Sequence, residues 1–447
     1  MKKQVRINMT EGNVATILRR LTVPMILGVF GLVAFNLADT YFVGSLGTIQ
    51  IAALTFTFPV VLVLNSLVLG IGIGASAVIS RAVGEQNRVK VVRLSTDSLT
   101  LGFLISILAI IIGELTIEPL FRAIGADDTT LPYIIQYMRI WYAGLPFVTI
   151  PMIGNNAIRA LGDTKTPSMV MLIAAGVNIV LDPLFIFGIW FFPELGVAGA
   201  ALATVISRFT TFSVALYILI IREKVISLKL ISMKTMLTSW KSILYIGFPN
   251  SIARIILPLG AGIVTKMIAS YGVDAIAGYG IATKLEYFFL GVLQALASVM
   301  PVFVGQNYGA HKIERIKEAF KLSKKFSLIY GVFIYCVLLL ISRPLASVFT
   351  QSLEVQDTIV LYLRIVPIAY GLQGILLVTI GSLNALGHPL NAASINLIQM
   401  LVIYIPTAML LSSFIGIYGI FIALVISYLL VSLIANLIIS KRLNDLI

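Results

Sequence analysis

Asp39 and Asp182 are carboxylates placed where a carboxylate is costly. Asp39 is the single charge between Leu21 and Ser80, and an ionisable side chain at membrane depth marks a pathway by default. Asp39 lies about five residues, roughly 8 Å at helical rise, from the outer end of its apolar segment, and Asp182 about ten residues, roughly 15 Å, from the outer end of its own. Both fall in the same half of the membrane, so one pocket can hold them. Asn36 precedes Asp39 by three residues and Asn178 precedes Asp182 by four, which puts each amide on its acid's helical face. Tyr137 can donate to either acid. Burial favours the neutral form of a carboxyl, so this set can carry a proton. Carboxylates with amide oxygens can equally hold sodium, and the residues alone do not choose. The rival role is structural, with the acids as hydrogen-bond acceptors that lock helices together; Pro183, which disturbs backbone pairing next to Asp182, suits that role.

The elements that must position these groups are apolar helices. The chain has 447 residues, 59% hydrophobic and 11% charged, with a mean hydropathy of +1.02; soluble domains carry about 25% charged residues. Pro389–Ser440 holds no charge at all. That run and Leu21–Ser80 each exceed the roughly 20 residues that cross a bilayer, so each folds back through it. Strands of about ten alternating residues, the barrel pattern, are absent. Twelve spans are expected, at 21–43, 51–80, 94–113, 131–158, 166–192, 195–221, 242–273, 275–308, 326–342, 358–386, 390–413 and 416–440. The divisions at 44–50 and 414–416 rest on loop-type residues and excess length alone. The fold class is therefore an all-α polytopic membrane protein. One cysteine, Cys336, and two histidines, His311 and His388, exclude an intrachain disulfide and a histidine metal cluster. No GxxxxGK[ST] stretch points to ATP, and Gly70-Ile-Gly72-Ile-Gly74 inside a span fits close helix packing rather than a dinucleotide loop.

Lysine and arginine set the orientation. With the N-terminus inside, 24 of the 32 basic residues fall in inner segments and only Arg122 and Arg343 in outer ones, as the positive-inside rule requires. The net charge of +13 thus faces anionic lipid rather than nucleic acid. The expected location is the inner (plasma) membrane with both termini cytoplasmic.

The chain also repeats itself at an offset of 225 residues. Pro24 answers Pro249, Gly84 answers Gly309, Tyr137-Met-Arg139-Ile answers Tyr362-Leu-Arg364-Ile, and Ala160-Leu-Gly162 answers Ala385-Leu-Gly387; Val205-Ile-Ser207 answers Val425-Ile-Ser427 at offset 220. Six spans per half give an N-lobe (1–221), a cytoplasmic linker (222–241) and a C-lobe (242–447), related by a pseudo-two-fold axis along the membrane normal. Repeated lobes of this kind suit alternating access. Asp39 answers Val264 and Asp182 answers Thr407, so neither acid is duplicated.

Pro24 is a candidate hinge in span 1, against a static proline in the first helical turn. In the C-lobe, Arg254 and Glu286 lie at similar depths, so an ion pair between them is expected, leaving Lys284 to face elsewhere. Lys266, Arg139 and Arg364 are expected to anchor near span ends.

Leu21-Thr-Val-Pro24-Met, Asn36-Leu-Ala-Asp39-Thr-Tyr-Phe-Val, Arg159-Ala-Leu-Gly-Asp163 and Asn178-Ile-Val-Leu-Asp182-Pro resemble the multidrug and toxic compound extrusion (MATE) family, in its DinF-like branch, over the whole chain. The resemblance implies efflux of amphiphilic, often cationic, organic compounds driven by inward proton or sodium flow, with the N-lobe acids as coupling site. It implies a transporter rather than an enzyme; a monomer with no cofactor and no nucleic-acid partner is expected. Bending of the first helix at Pro24 is linked in such transporters to the state of the nearby acid. The alternative is a flippase for a lipid-linked precursor, which would be expected to show more spans and a strongly basic cavity. A passive channel is a further alternative, opposed by the repeat and the isolated acids.

Overall fold

A computed structural model describes residues 8–44, 48–227 and 232–445; the side chains of 35–41, 43, 44, 48, 51 and 52 lie outside the described set. Among the described residues the regular structure is helical throughout. The first half comprises α1 (Val14–Gly44), α2 (Thr48–Gly84), α3 (Arg88–Ile124), α4 (Leu131–Ala143), α5 (Leu145–Ala160), α6 (Lys165–Phe187) and α7 (Val197–Tyr217). The second comprises α8 (Met233–Ala269), α9 (Val273–Phe289), α10 (Gly291–Gly309), α11 (Ile313–Phe349), α12 (Leu353–Ile365), α13 (Tyr370–Ala385), α14 (Pro389–Leu397), α15 (Ile405–Ile415) and α16 (Ile417–Asn444).

Among the described residues ten spans are long and apolar enough to cross a membrane, counting α12 with α13 and α14 with α15, and α9 with α10 supply an eleventh, bent by 50°. The pair α4 and α5, interrupted at Gly144, completes the twelve. Helices run past the apolar segments wherever the polar flank also favours helix. Thus α1 begins at Val14 rather than near Leu21, and α11 takes in the basic run from Arg315 to Lys325. Asn87 caps α3 by accepting from the Lys90 amide at 2.9 Å, and Ser352 caps α12 through the Val355 amide at 3.4 Å. The expected turn at 414–416 falls at Gly416, whose φ is 63°. The other doubtful division includes residues 45–47, outside the described set.

The 225-residue repeat is visible in the backbone. α5 and α13 each have 16 residues, and each follows an interruption, at Gly144 in one half and over Val366–Ala369 in the other. Gln86 and His311, one repeat apart, both adopt a φ of 55°. The bend at Leu290 has no counterpart in α2, which runs unbroken. Its freed carbonyl, that of Phe289, accepts the Tyr330 hydroxyl at 2.7 Å.

By contacts the chain divides into two compact units. One holds residues 23–251, the other residues 8–22 with 252–447. The first ends of α1 and α8 therefore belong to the unit opposite to that of the rest of each helix. In the first unit, Arg88 donates to the carbonyls of Glu223 and Lys224, and Trp240 Nε1 donates to the Asp97 carbonyl at 2.9 Å. Gly74 lets α8 lie against α2, since a Cβ there would sit 2.2 Å from the Ile243 carbonyl oxygen. In the second unit, Asn307 Nδ2 donates to the Met9 carbonyl at 3.0 Å, Lys312 Nζ to that of Thr10 at 2.9 Å, and Arg315 Nη1 to that of Gly12 at 2.7 Å. Met9 and Leu21 are fully buried in that unit.

Candidate functional site

α6 and α7 form a tight hairpin. The amides of Leu195 and Gly196 donate to the carbonyls of Phe185 and Ile186 at 3.0 and 3.2 Å. Gly199 admits α7 to the last turn of α6, where a Cβ would lie 2.2 Å from the Phe185 carbonyl oxygen. Within this framework Asp182 and Asn178 are fully buried on one face of α6, and Asn178 Nδ2 donates to Asp182 Oδ1 at 3.1 Å. A carboxylate taken from water needs such donors. Asn36 and Asp39 lie in the helical backbone of α1, and their side chains are outside the described residues. Tyr137, on α4, is half-buried and packs against a core of Ile134, Met138 and Trp141. Of the sequence-predicted set, the described contacts bring together Asn178 and Asp182.

Pro24 is the eleventh residue of α1, not a first-turn residue. The static first-turn reading is corrected accordingly: the helix starts early because Val14, Ile17, Leu18 and Leu21 are buried against the second unit. Pro24 leaves the Arg20 carbonyl without its helical donor, two residues beyond the point where α1 passes from one unit to the other.

A small cleft of about 60 Å³ opens in the first unit between α1, α5, α6 and α7. Its walls include Leu32, Met152, Asn155, Met171, Arg208 and Thr211, and among the described residues Arg208 is the only charged side chain lining it. Ser207 donates to the Ala174 carbonyl at 2.7 Å and Thr211 to the Arg208 carbonyl at 2.7 Å. The buried Oδ1 of Asn155 has no hydrogen-bond partner. Sequence reasoning missed this group. The available signal was Arg208 itself, a basic residue midway along an apolar span.

The C-lobe expectation also needs correction. Arg254 and Glu286 form no ion pair among the described residues: Arg254 is exposed, and the Glu286 carboxylate accepts the hydroxyl of Tyr362. Equal depth does not fix the direction in which a side chain leaves its helix. Tyr362 is buried, with Tyr279 and Phe421 around it at ring-centroid distances of 5.8 and 5.0 Å. The Tyr370 and Tyr404 hydroxyls in the same core are buried without hydrogen-bond partners. Arg139, expected as an anchor, lies 3.5 Å from Glu114, and Arg364 donates to Ser342 at 3.3 Å. Asp163, in the loop before α6, pairs with Arg222, which also holds Glu223 at 2.9 Å and Thr166 at 2.9 Å.

Twelve apolar spans in two repeated halves, with a buried carboxylate and a polar cleft in one of them, define a multi-pass membrane transporter. The MatE family pattern matches the chain twice, over residues 24–184 and 249–410, and the chain belongs to that family. The two matches begin 225 residues apart, the offset of the internal repeat. Among relatives, the FAD transporter of Shewanella oneidensis is 36% identical over 420 residues, covering 94% of this chain and 93% of that protein. The multidrug export protein MepA of Staphylococcus saprophyticus is 27% identical over 421 residues, covering 94% and 92%. The crystal structure of the Vibrio cholerae MATE transporter VcmN in its bent form superposes with a TM-score of 0.91 at 29% identity, covering 97% of each chain.

Proposed function

We propose that this chain is an ion-coupled secondary exporter of amphiphilic organic compounds, with Asp39 and Asp182 as the coupling acids and the two halves giving alternating access. The observation that carries the reading is a fully buried Asp182, held by Asn178 within an apolar span. A group in that position binds an ion only when a route to water opens, which is what coupling to a conformational cycle requires. The protein acts as a monomer of the DinF-like branch, with its basic loops and both termini on the cytoplasmic side. Transport of a dye into sealed vesicles under an imposed proton or sodium gradient tests the reading and chooses the ion. Asp182→Asn should abolish gradient-driven accumulation while the protein still inserts. Accumulation that ignores both gradients would refute it.

The sequence expectation of cationic cargo competes with a second reading, export of an anionic amphiphile such as a flavin dinucleotide. The basic group in the cleft wall, Arg208, and the FAD-transporting relative favour it.

A further inference from the structure

Arg208 is the twelfth residue of α7, roughly 16 Å along the helix from its start, near the middle of a hydrocarbon core about 30 Å thick. An arginine at that depth is expensive to place and stays charged. The repeat does not require it, since the equivalent position at offset 220 is Tyr428. The side chain instead lines the cleft of about 60 Å³, room for a few waters or for an anionic headgroup rather than for a whole ligand.

The chemistry around Arg208 is specific. A guanidinium has five N–H donors in a planar fork, so it can hold a partner within the protein and still present two donors to the oxygens of a phosphate or carboxylate. Ser207 and Thr211 have committed their hydrogens to backbone carbonyls, so their oxygens are left as acceptors. The unpartnered Asn155 Oδ1 is a further acceptor in the same wall. The rest of the lining is largely apolar and adaptable, with Leu32, Met152 and Met171, and methionine adapts its shape to varied partners. We propose that this cleft binds the anionic group of the cargo, with Arg208 gripping a phosphate or carboxylate and Asn155 accepting from a neighbouring hydroxyl or N–H of the ligand. The assignment deepens the proposed export function, and rests on it in placing the cleft on the cargo path.

Two xanthene dyes of similar shape and opposite charge, carboxyfluorescein and rhodamine, test the proposal by fluorescence polarisation on the purified full chain in uncharged detergent. No gradient is involved, so failure of the coupling reading would leave this result intact. The wild type should bind carboxyfluorescein, and AMP should displace it while adenosine does not. Arg208→Gln should weaken carboxyfluorescein binding by about tenfold or more, the loss of one good charge-assisted contact, and leave rhodamine binding unchanged. Arg208→Lys should fall between the two. Asn155→Leu should weaken AMP competition more than carboxyfluorescein binding, because only the nucleotide brings ribose hydroxyls. Variants are compared only where they elute as the wild type does, and Arg208→Lys alone serves if the glutamine variant does not fold. Equal loss of both dyes, no effect on either, or a wild type that takes up rhodamine alone would overturn the proposal.

Discussion

Tyr362 donates its hydroxyl to the carboxylate of Glu286, joining α12 to the last turn of α9, four residues before the chain bends by 50° at Leu290. A side-chain hydrogen bond contributes about 0.5–1.5 kcal/mol. Tyr362→Phe should therefore lower the thermal unfolding midpoint of the purified protein, whereas Glu286→Gln, which can still accept from Tyr362, should lower it less. Equal midpoints for both variants and the wild type would show that the pair contributes nothing to stability.

Asn178 serves Asp182 as donor at 3.1 Å, so its loss should be felt in transport before it is felt in folding. Asn178→Ala is expected to reduce gradient-driven dye accumulation several-fold, between the wild type and the inactive Asp182→Asn. A variant as inactive as Asp182→Asn would give the amide a direct part in ion binding.

Pro24→Ala restores the missing donor to the Arg20 carbonyl. An interior proline costs a helix about 3 kcal/mol, so the variant should unfold at a higher temperature. It should also turn over more slowly, with dye affinity unchanged, because a straighter α1 resists motion at that point. A stabilised protein with wild-type turnover would mark Pro24 as static.

The loop before α4 offers a pH-dependent signal outside the spans. Asp127 accepts from Thr129 Oγ1, Thr130 Oγ1 and the Thr130 amide at 2.8, 2.7 and 2.9 Å, and these bonds lower its pKa from 3.8 to about 2. A depressed carboxyl stabilises the folded loop fully above its unfolded value of 3.8, and the contribution disappears as pH falls through about 2. Hydrogen exchange at the Thr130 amide should accordingly stay slow down to that range and be faster in Asp127→Asn at neutral pH. A protection that falls away well above it would contradict the assignment.

Composition and charge made the twelve spans legible, because uninterrupted apolar length has one physical outcome in a bilayer. The buried Asp182 was conspicuous for the related reason that a charge stands out in an apolar run, whereas the Asp39 side chain lies outside the described residues. Azimuth was not legible. Arg254 and Glu286 share a depth, but the partner of Glu286 is Tyr362, and nothing in the residues around Arg208 signals that it faces a cleft. The early start of α1 was hidden as well, because the segment from Val14 to Leu18 is held by tertiary burial, which no local apolar run announces. The bend at Leu290 depends on a carbonyl satisfied by Tyr330, 41 residues away in sequence.

The exchanged beginnings of α1 and α8 bear on any attempt to halve this molecule. A fragment cut at the linker would carry residues 8–22 away from Asn307, Lys312 and Arg315, the side chains that seat them. The complementary fragment would strip Trp240 from its acceptor on Asp97. Each piece would expose a greasy stub and an empty berth, so the duplicated ancestry of the sequence does not translate into two self-sufficient polypeptides.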